Sequence, residues 1–340
     1  MKRASLYFTG PGQIQIREES LAPPPPGKLL IRTLFSAISA GSELLIYRGL
    51  CPADLPLDAS IPSLEGLCSF PMKYGYSTVG KVTTLGKGVP LEWGDRLVFS
   101  FHPHESHFIA DVAELLPIPP GISPEEALFL PNLETAINFV MDGKPTIGER
   151  LVVFGQGIVG LLTTVLLAKY PLARLLTVDR YPLRRKLSLT AGAFATFDPG
   201  ETGFVNGIMN QLEPEGKEGS DLTFEISGAP EALGQAIDVT GFGGRIVIGS
   251  WYGLKPVHLN LGGQFHRSRI SLIASQVSSI SPEYLGRWTK SRRFGLVWQF
   301  LREIKPEQYI THRFSFNRAA DAFECLDKHS ENCVQVLLVY

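Results

Sequence analysis

The hydrophobic positions change their rhythm near residue 150. Before it, short β-prone runs such as "KLLIRTLFSAIS", "STVGKVTTLG", "DRLVFSF" and "SHFIAD" are separated by Gly and Pro, including Pro23 to Pro26. That pattern predicts a small, irregular, mostly antiparallel barrel or sandwich. Beyond it lie "RLVVF" (Arg150 to Phe154), "LLTVD" (Leu175 to Asp179), "ATFD" (Ala195 to Asp198), "DLTFEIS" (Asp221 to Ser227), "GRIVIGS" (Gly244 to Ser250) and "RISLIAS" (Arg269 to Ser275). Near-continuous apolarity fits strands covered on both faces, and intervening stretches such as "EALGQAIDVT" suit crossover helices. The expectation is an α/β chain with a doubly wound parallel sheet. After Gln276 the texture is mixed again, with a helix around Ala319 to Lys328 and an apolar terminal strand "VQVLLVY".

At 340 residues the chain exceeds the size at which one core usually stops growing, so two domains are expected. A formal charge of -1, with Lys and Arg scattered among Asp and Glu, argues against a nucleic-acid partner. The start "MKRASLYFTG" does not read as a signal peptide and no run approaches the roughly 18–20 apolar residues of a membrane span, which together predict a cytoplasmic protein with no membrane partner. Cys51, Cys68, Cys325 and Cys333 lack CxxC spacing and are read as thiols, without a disulfide framework or a sulfur-bound structural zinc.

One motif carries specific chemistry. The strand at Arg150 runs into "GQGIVG", that is Gly155, Gln156, Gly157, Ile158, Val159 and Gly160, and then into the apolar helix "LLTTVLLAKY". Gly155 permits a tight turn, Gly157 admits a pyrophosphate to the backbone amides, and Gly160 lets helix and strand pack closely. Asp179 closes the next strand 19 residues after Gly160, where an acid meets the adenosine ribose. The expected ligand is NAD(H); Arg180, Arg184 and Arg185 are either a solvated face or, with a 2′-phosphate, a site for NADP(H). Ser227, Gly249 and Ser250 end further strands at the same edge and are either crevice residues or ordinary turns.

In order and in motif the whole chain resembles the medium-chain dehydrogenase/reductase superfamily. "SAISAGSELLIYRG" looks like its first active-site segment, "KYGYSTVGKV" like its Gly-His-Glu segment and "GQGIVGLLTTVLLAKY" like its cofactor turn; "FHPHESHF" and "GSWYG" add a likeness to the branch of bacteriochlorophyllide a dehydrogenase. The resemblance implies a GroES-like β-rich catalytic domain at 1–125, a Rossmann domain at 126–275, and a return to the catalytic domain at 276–340. It also implies a small-molecule substrate, a homodimer, and Thr135 near the nicotinamide.

It departs from the zinc-bearing members where metal is held. Their first segment reads Cys-Gly-Thr/Ser-Asp or similar; here stand Ala40, Gly41, Ser42 and Glu43. Their ligand His is Tyr76, the following Glu is Ser77, and near the third ligand position there is no Cys, with Glu134 a possible oxygen ligand. A catalytic zinc needs three N, S or O ligands from the protein, so the expectation is an enzyme without zinc. Zinc moves the pKa of a bound water from about 15.7 to about 7, on the order of 12 kcal/mol of charge stabilisation, which a bare hydroxyl does not match. What is left is carbonyl reduction with Ser42, Tyr76 or His104 as proton donor, or a substrate whose developing charge is delocalised by conjugation. For Tyr76 the alternative is an aromatic packing role, and for Ser42 a turn hydroxyl. His102, His104 and His107 read as packing histidines, substrate-binding groups or metal ligands. Arg287, Lys290, Arg292 and Arg293 read as a solvated basic face or as anion readers. Reduction of an activated C=C bond, or cofactor binding without turnover, are the rival functions.

Overall fold

The strand Lys28–Ile38 shows why the first 120 residues fold as they do. Leu29, Leu30 and Ile31 are buried at one end, Ser36, Ala37 and Ile38 at the other, and register shifts at Leu30/Ile31 and Thr33/Phe35 bend the strand between them. A strand buried so fully needs partners on both sides. Thr78–Leu85 and His107–Asp111 pair with it antiparallel, and so does Gln335–Val339 from the far end of the chain, with Val336 opposite Ile38. The sheet runs Ile310–Ser315, Gln335–Val339, Lys28–Ile38, Thr78–Leu85, Leu97–Ser100, Leu115–Pro117, with His107–Asp111 off that path. Every pairing in it is antiparallel except that of Ile310–Ser315 with Gln335–Val339. The hairpin of Lys2–Gly10 and Gln13–Ser20 and the helices Ala40–Tyr47 and Ala319–Lys328 complete the core, where Phe8 and Phe323 meet edge to face at 5.3 Å.

In the computed structural model, which describes residues 1–58, 60–212 and 218–340, the chain divides into Met1–Pro131 with Trp298–Tyr340, and Asn132–Val297. The second unit thus extends past the Gln276 at which the sequence reading placed the return. The reason lies in Arg293, which is read as part of a solvated basic face but has no exposed side-chain surface. Its guanidinium donates to Glu134 at 2.7 and 2.9 Å and to Asn138 at 2.6 Å, and Lys290 adds a contact to Glu134 at 3.2 Å. Ion pairing holds the segment to the helix Leu130–Gly143.

The second unit is a parallel sheet ordered Ala195–Phe197, Arg174–Val178, Arg150–Phe154, Ser220–Glu225, Thr240–Ile248, Ser271–Ala274. Numbered along the chain this is 3-2-1-4-5-6, so the strand order reverses between Arg150–Phe154 and Ser220–Glu225, where ligands bind in such sheets. Among the described residues no helix is long and apolar enough to cross a membrane.

One expectation fails outright. Cys51 and Cys68, read as thiols, form a disulfide with Cα atoms 6.3 Å apart. The chain between them folds back through a bridge of Pro56 to Leu67, a long-range pairing that cysteine spacing does not reveal.

Candidate active site

In the first unit the helix Ala40–Tyr47 starts directly after the central strand, and the backbone N–H groups of Ser42 and Glu43 both donate to the carbonyl of Ser39. This turn sets Ser42 at the half-buried surface and drives Glu43 inward. Tyr76 reaches it from the segment before Thr78–Leu85, and the Tyr76 hydroxyl lies 2.7 Å from Ser42 Oγ. Both residues are half-buried. Burial pushes the Tyr76 hydroxyl up to about 12, against hydrogen bonds from Ser39 and Ser42 that favour the phenolate. Tyr76 is therefore a neutral phenol near pH 7. Its ring packs edge-on against buried Tyr74, which accounts for its orientation.

Inside the same turn sits a polar chain with no exposed member up to Ser36. Glu43 accepts from the Ser39 N–H at 2.8 Å and meets His104 Nε2 at 2.9 Å; His104 Nδ1 meets Ser36 Oγ at 2.7 Å, and Ser36 Oγ is 3.0 Å from the Tyr340 hydroxyl. Gly75 explains how the imidazole fits. Its φ is +120°, and a Cβ there would stand 2.7 Å from His104 Cδ2. His104, a candidate proton donor on sequence grounds, is fully buried with both ring nitrogens engaged, and its place is to hold Glu43. Sequence reasoning missed Glu43, Ser36 and Tyr340 as parts of one network; the Ser39-to-Glu43 spacing at the head of a helix is the signal that was available.

The neighbouring histidines go elsewhere. His102 stacks on Phe108 and lies 2.9 Å from Glu105, while His107 Nδ1 is 3.2 Å from Ser106 Oγ. Glu105, 2 % exposed, also receives Lys73 at 2.6 Å, Ser5 at 2.9 Å and Arg3 at 3.1 Å. Burial pushes its carboxyl up, but the hydrogen bond and charge of His102 and those of Lys73 outweigh this and hold it at about 2. A carboxyl depressed from 4.5 lends stability that is complete above about pH 4.5 and is lost as pH falls towards 2, about 3 kcal/mol in all. Glu105→Gln is expected to flatten that acid limb. Urea midpoints at pH 7 and pH 3 check it, and a loss as steep as wild type would reject the assignment.

In the second unit the glycine turn sits at the reversal of strand order. Gly155 has φ +94°, and a Cβ there would come 2.5 Å from the Ser227 Cα; one on Gly160 would come 2.0 Å from the Gly155 carbonyl oxygen. Gly157, the N-cap of the helix Ile158–Leu167 that begins with Ile158 and Val159, is different, because its Cβ would meet only Arg184 Nη1 at 3.9 Å. Gln156 is fully buried, with its Oε1 on Thr164 and its Nε2 without a protein partner. An open glycine at a helix N-terminus and an unsatisfied buried donor fit a pyrophosphate.

Asp179, 7 % exposed, accepts from the Gln156 N–H at 2.7 Å and the Tyr181 N–H at 2.8 Å, retaining lone pairs for a further donor. Arg185 is spent on the Asp179 and Arg180 carbonyls and on Asp198, whereas Arg180 is exposed, with Glu231 at 3.6 Å. Ser227 donates to Glu225, and Ser250 Oγ accepts from the Gly228 N–H. Gly249 is required by packing, since a Cβ would lie 2.2 Å from the Phe139 ring. Thr135 is half-buried on the helix Leu130–Gly143.

Residues 159–290 match the family described as zinc-binding dehydrogenase. That stretch includes neither Ala40 nor Tyr76. The (R,R)-butanediol dehydrogenase of Bacillus subtilis is 28 % identical over 73 % of this chain and 78 % of its own length. Among solved structures, a short chain alcohol dehydrogenase (rspB) from Escherichia coli, complexed with NADH, superposes with TM-score 0.79 at 19 % identity over 100 % of this chain and 99 % of that one. A putative zinc-binding dehydrogenase from Sinorhizobium meliloti 1021, bound to NADP, gives TM-score 0.76 at 20 % identity over 100 % of both chains.

Proposed function

Since the chain belongs to the medium-chain, zinc-type alcohol dehydrogenase superfamily, we propose that it is a nicotinamide-dependent oxidoreductase that interconverts an alcohol and a ketone without a catalytic zinc. The observation that carries this reading is the pair of hydroxyls, Ser42 Oγ and Tyr76 Oη, 2.7 Å apart, with Tyr76 at the place of the zinc-bearing members' ligand His and Ser42 at the place of their Thr/Ser hydroxyl.

The donors present do not fit zinc. Ala40 offers none, Tyr76 is a neutral phenol, and Glu43 is committed to the Ser39 amide and to His104. In the second unit Glu134 is committed to Arg293 and Lys290. Three ready ligands are what a catalytic zinc requires.

A dinucleotide does fit. The N-terminus of the helix Ile158–Leu167, the open Gly157 and the Gln156 side-chain amide would hold the pyrophosphate, and Asp179 would accept from the adenosine ribose, which favours NAD(H) over NADP(H). When bound, the nicotinamide supplies or accepts the hydride. The chain itself manages the proton. Tyr76 in its acid form donates to the oxygen of the ketone, Ser42 donates to Tyr76 and holds the phenol in place, and Glu43, fixed by His104, anchors the turn that presents Ser42. At neutral pH the phenol carries its proton, so it stands ready to donate in reduction, whereas oxidation needs the scarce phenolate. Hydroxyl donors stabilise an alkoxide less than zinc does, which selects ketones whose charge is spread by conjugation.

The test uses chelator-treated protein with stereospecifically deuterated NADH and a panel of aromatic and conjugated ketones. Deuterium at the carbinol carbon, with turnover undiminished by metal removal, is expected. Label β to the carbonyl, or activity restored only by added zinc, would overturn the reading.

A further inference from the structure

The C-terminal part of the first unit carries a second cluster of chemistry-bearing side chains. His312 lies on the strand Ile310–Ser315, Cys325 in the last turn of the helix Ala319–Lys328, and Cys333 between the turn Ser330–Asn332 and the strand Gln335–Val339. Their ligand atoms all fall within 4.8 Å of one another, and they form the only such grouping of three among the described residues. Cys325 Sγ and Cys333 Sγ are 3.5 Å apart, and Cys333 Sγ is 3.8 Å from His312 Nδ1. Cys333 is fully buried, while Cys325 and His312 are half-buried.

We propose that His312, Cys325 and Cys333 form a metal site for a thiophilic cation, zinc in the first instance, separate from the hydroxyl pair. With metal–sulfur bonds of about 2.3 Å and metal–nitrogen bonds of about 2.0–2.1 Å, tetrahedral angles place two sulfurs about 3.8 Å apart and a sulfur and a nitrogen about 3.6 Å apart. The observed 3.5 and 3.8 Å differ from these by a few tenths of an ångström. A disulfide needs its sulfurs at about 2.05 Å, far from the spacing found here. Two thiolates and an imidazole are a soft donor set that favours zinc over the hard cations. Cys325 sits at a helix C-terminus, where backbone carbonyls favour positive charge. As the metal binds, the two thiol protons leave to solvent, and the half-buried side supplies a water as fourth ligand. The ion would tie the last helix to the last two strands of the sheet.

The reading is independent of the proposed reaction, and the experiment keeps the two apart. Reduced, chelator-treated full chain is titrated with cadmium while the thiolate-to-cadmium charge-transfer band is followed; thermal unfolding is recorded with and without zinc, and ketone reduction is assayed alongside. Stoichiometric growth of the band and a zinc-dependent rise in Tm are expected in wild type and in Cys51→Ser/Cys68→Ser. Both are expected to vanish in Cys325→Ser, which alters a half-buried thiol on an otherwise intact helix, and in His312→Gln. Ketone reduction at a temperature where each variant is folded should persist. Absence of the band in wild type, an undiminished band in Cys325→Ser, or loss of the band in the Cys51/Cys68 variant would each overturn the site.

Discussion

Tyr76→Phe is expected to lower kcat for ketone reduction by about 10²–10⁴-fold, the range a positioned general acid contributes. The substitution keeps the ring that packs edge-on against Tyr74 at 6.0 Å and removes only the hydroxyl, so stability and NADH affinity should stay near wild type. Ser42 then loses its 2.7 Å partner and keeps a long contact to the Ser39 carbonyl at 3.5 Å. The pH dependence separates this role from a packing role. With the phenol at about 12, the phenolate fraction at pH 7 is about 10⁻⁵, five units below the midpoint, while the acid form is essentially complete. Reduction by wild type should therefore be flat in pH from this group. Alcohol oxidation, which needs the phenolate as base, should rise about tenfold per pH unit with no plateau below about pH 11. In Tyr76→Phe that slope should disappear. A variant that kept both the wild-type kcat and the rising oxidation limb would show that another group moves the proton.

The same residues show what a one-dimensional reading reaches. The six apolar runs after residue 150 are strands within a few residues of their expected bounds, because burial on both faces writes itself as uninterrupted hydrophobicity. The glycine turn was legible because Gly155 and Gly160 answer local backbone demands, a positive φ and a close approach. Contacts made between distant segments were not legible. Ser36, Glu43, His104 and Tyr340 come from four segments, with Ser36 and Tyr340 304 positions apart, and no spacing rule joins them. Arg293 stands in a basic run that looks solvated, and only its fit to Glu134 and Asn138 reveals it as the largest side chain with no exposure. Cysteine spacing failed at Cys51 and Cys68 for a related reason, since a turn of irregular chain that follows no short motif brings them together. Cys325 and Cys333 are thiols, as read. The hydroxyl pair itself was half visible: Ser42 and Tyr76 were each a candidate, but that they touch is a property of the fold.

Gly157→Ala and Gly160→Ala should part company, although the two glycines belong to one motif. At Gly157 the added methyl meets open space, its nearest neighbour being Arg184 Nη1 at 3.9 Å, and φ is -65°, which alanine adopts without strain. The folded protein should tolerate it within about 0.5 kcal/mol. On the proposed placement of the cofactor, the methyl would instead occupy the approach of the pyrophosphate to the helix N-terminus. Losing one or two hydrogen bonds to a charged group, at about 1.5–3 kcal/mol each, should weaken NADH binding by about 10- to 100-fold or more. At Gly160 the methyl lies 2.0 Å from the Gly155 carbonyl oxygen, a backbone atom that cannot retreat because Gly155 is itself pressed against Ser227. That variant should lose stability by about 1–3 kcal/mol or more and lose NADH binding with it. Thermal melts together with NADH fluorescence titrations read both quantities on the same samples. Gly157→Ala binding NADH as tightly as wild type would mean that this turn does not hold the cofactor phosphates. The hydride chemistry assigned to the chain would then lack its donor.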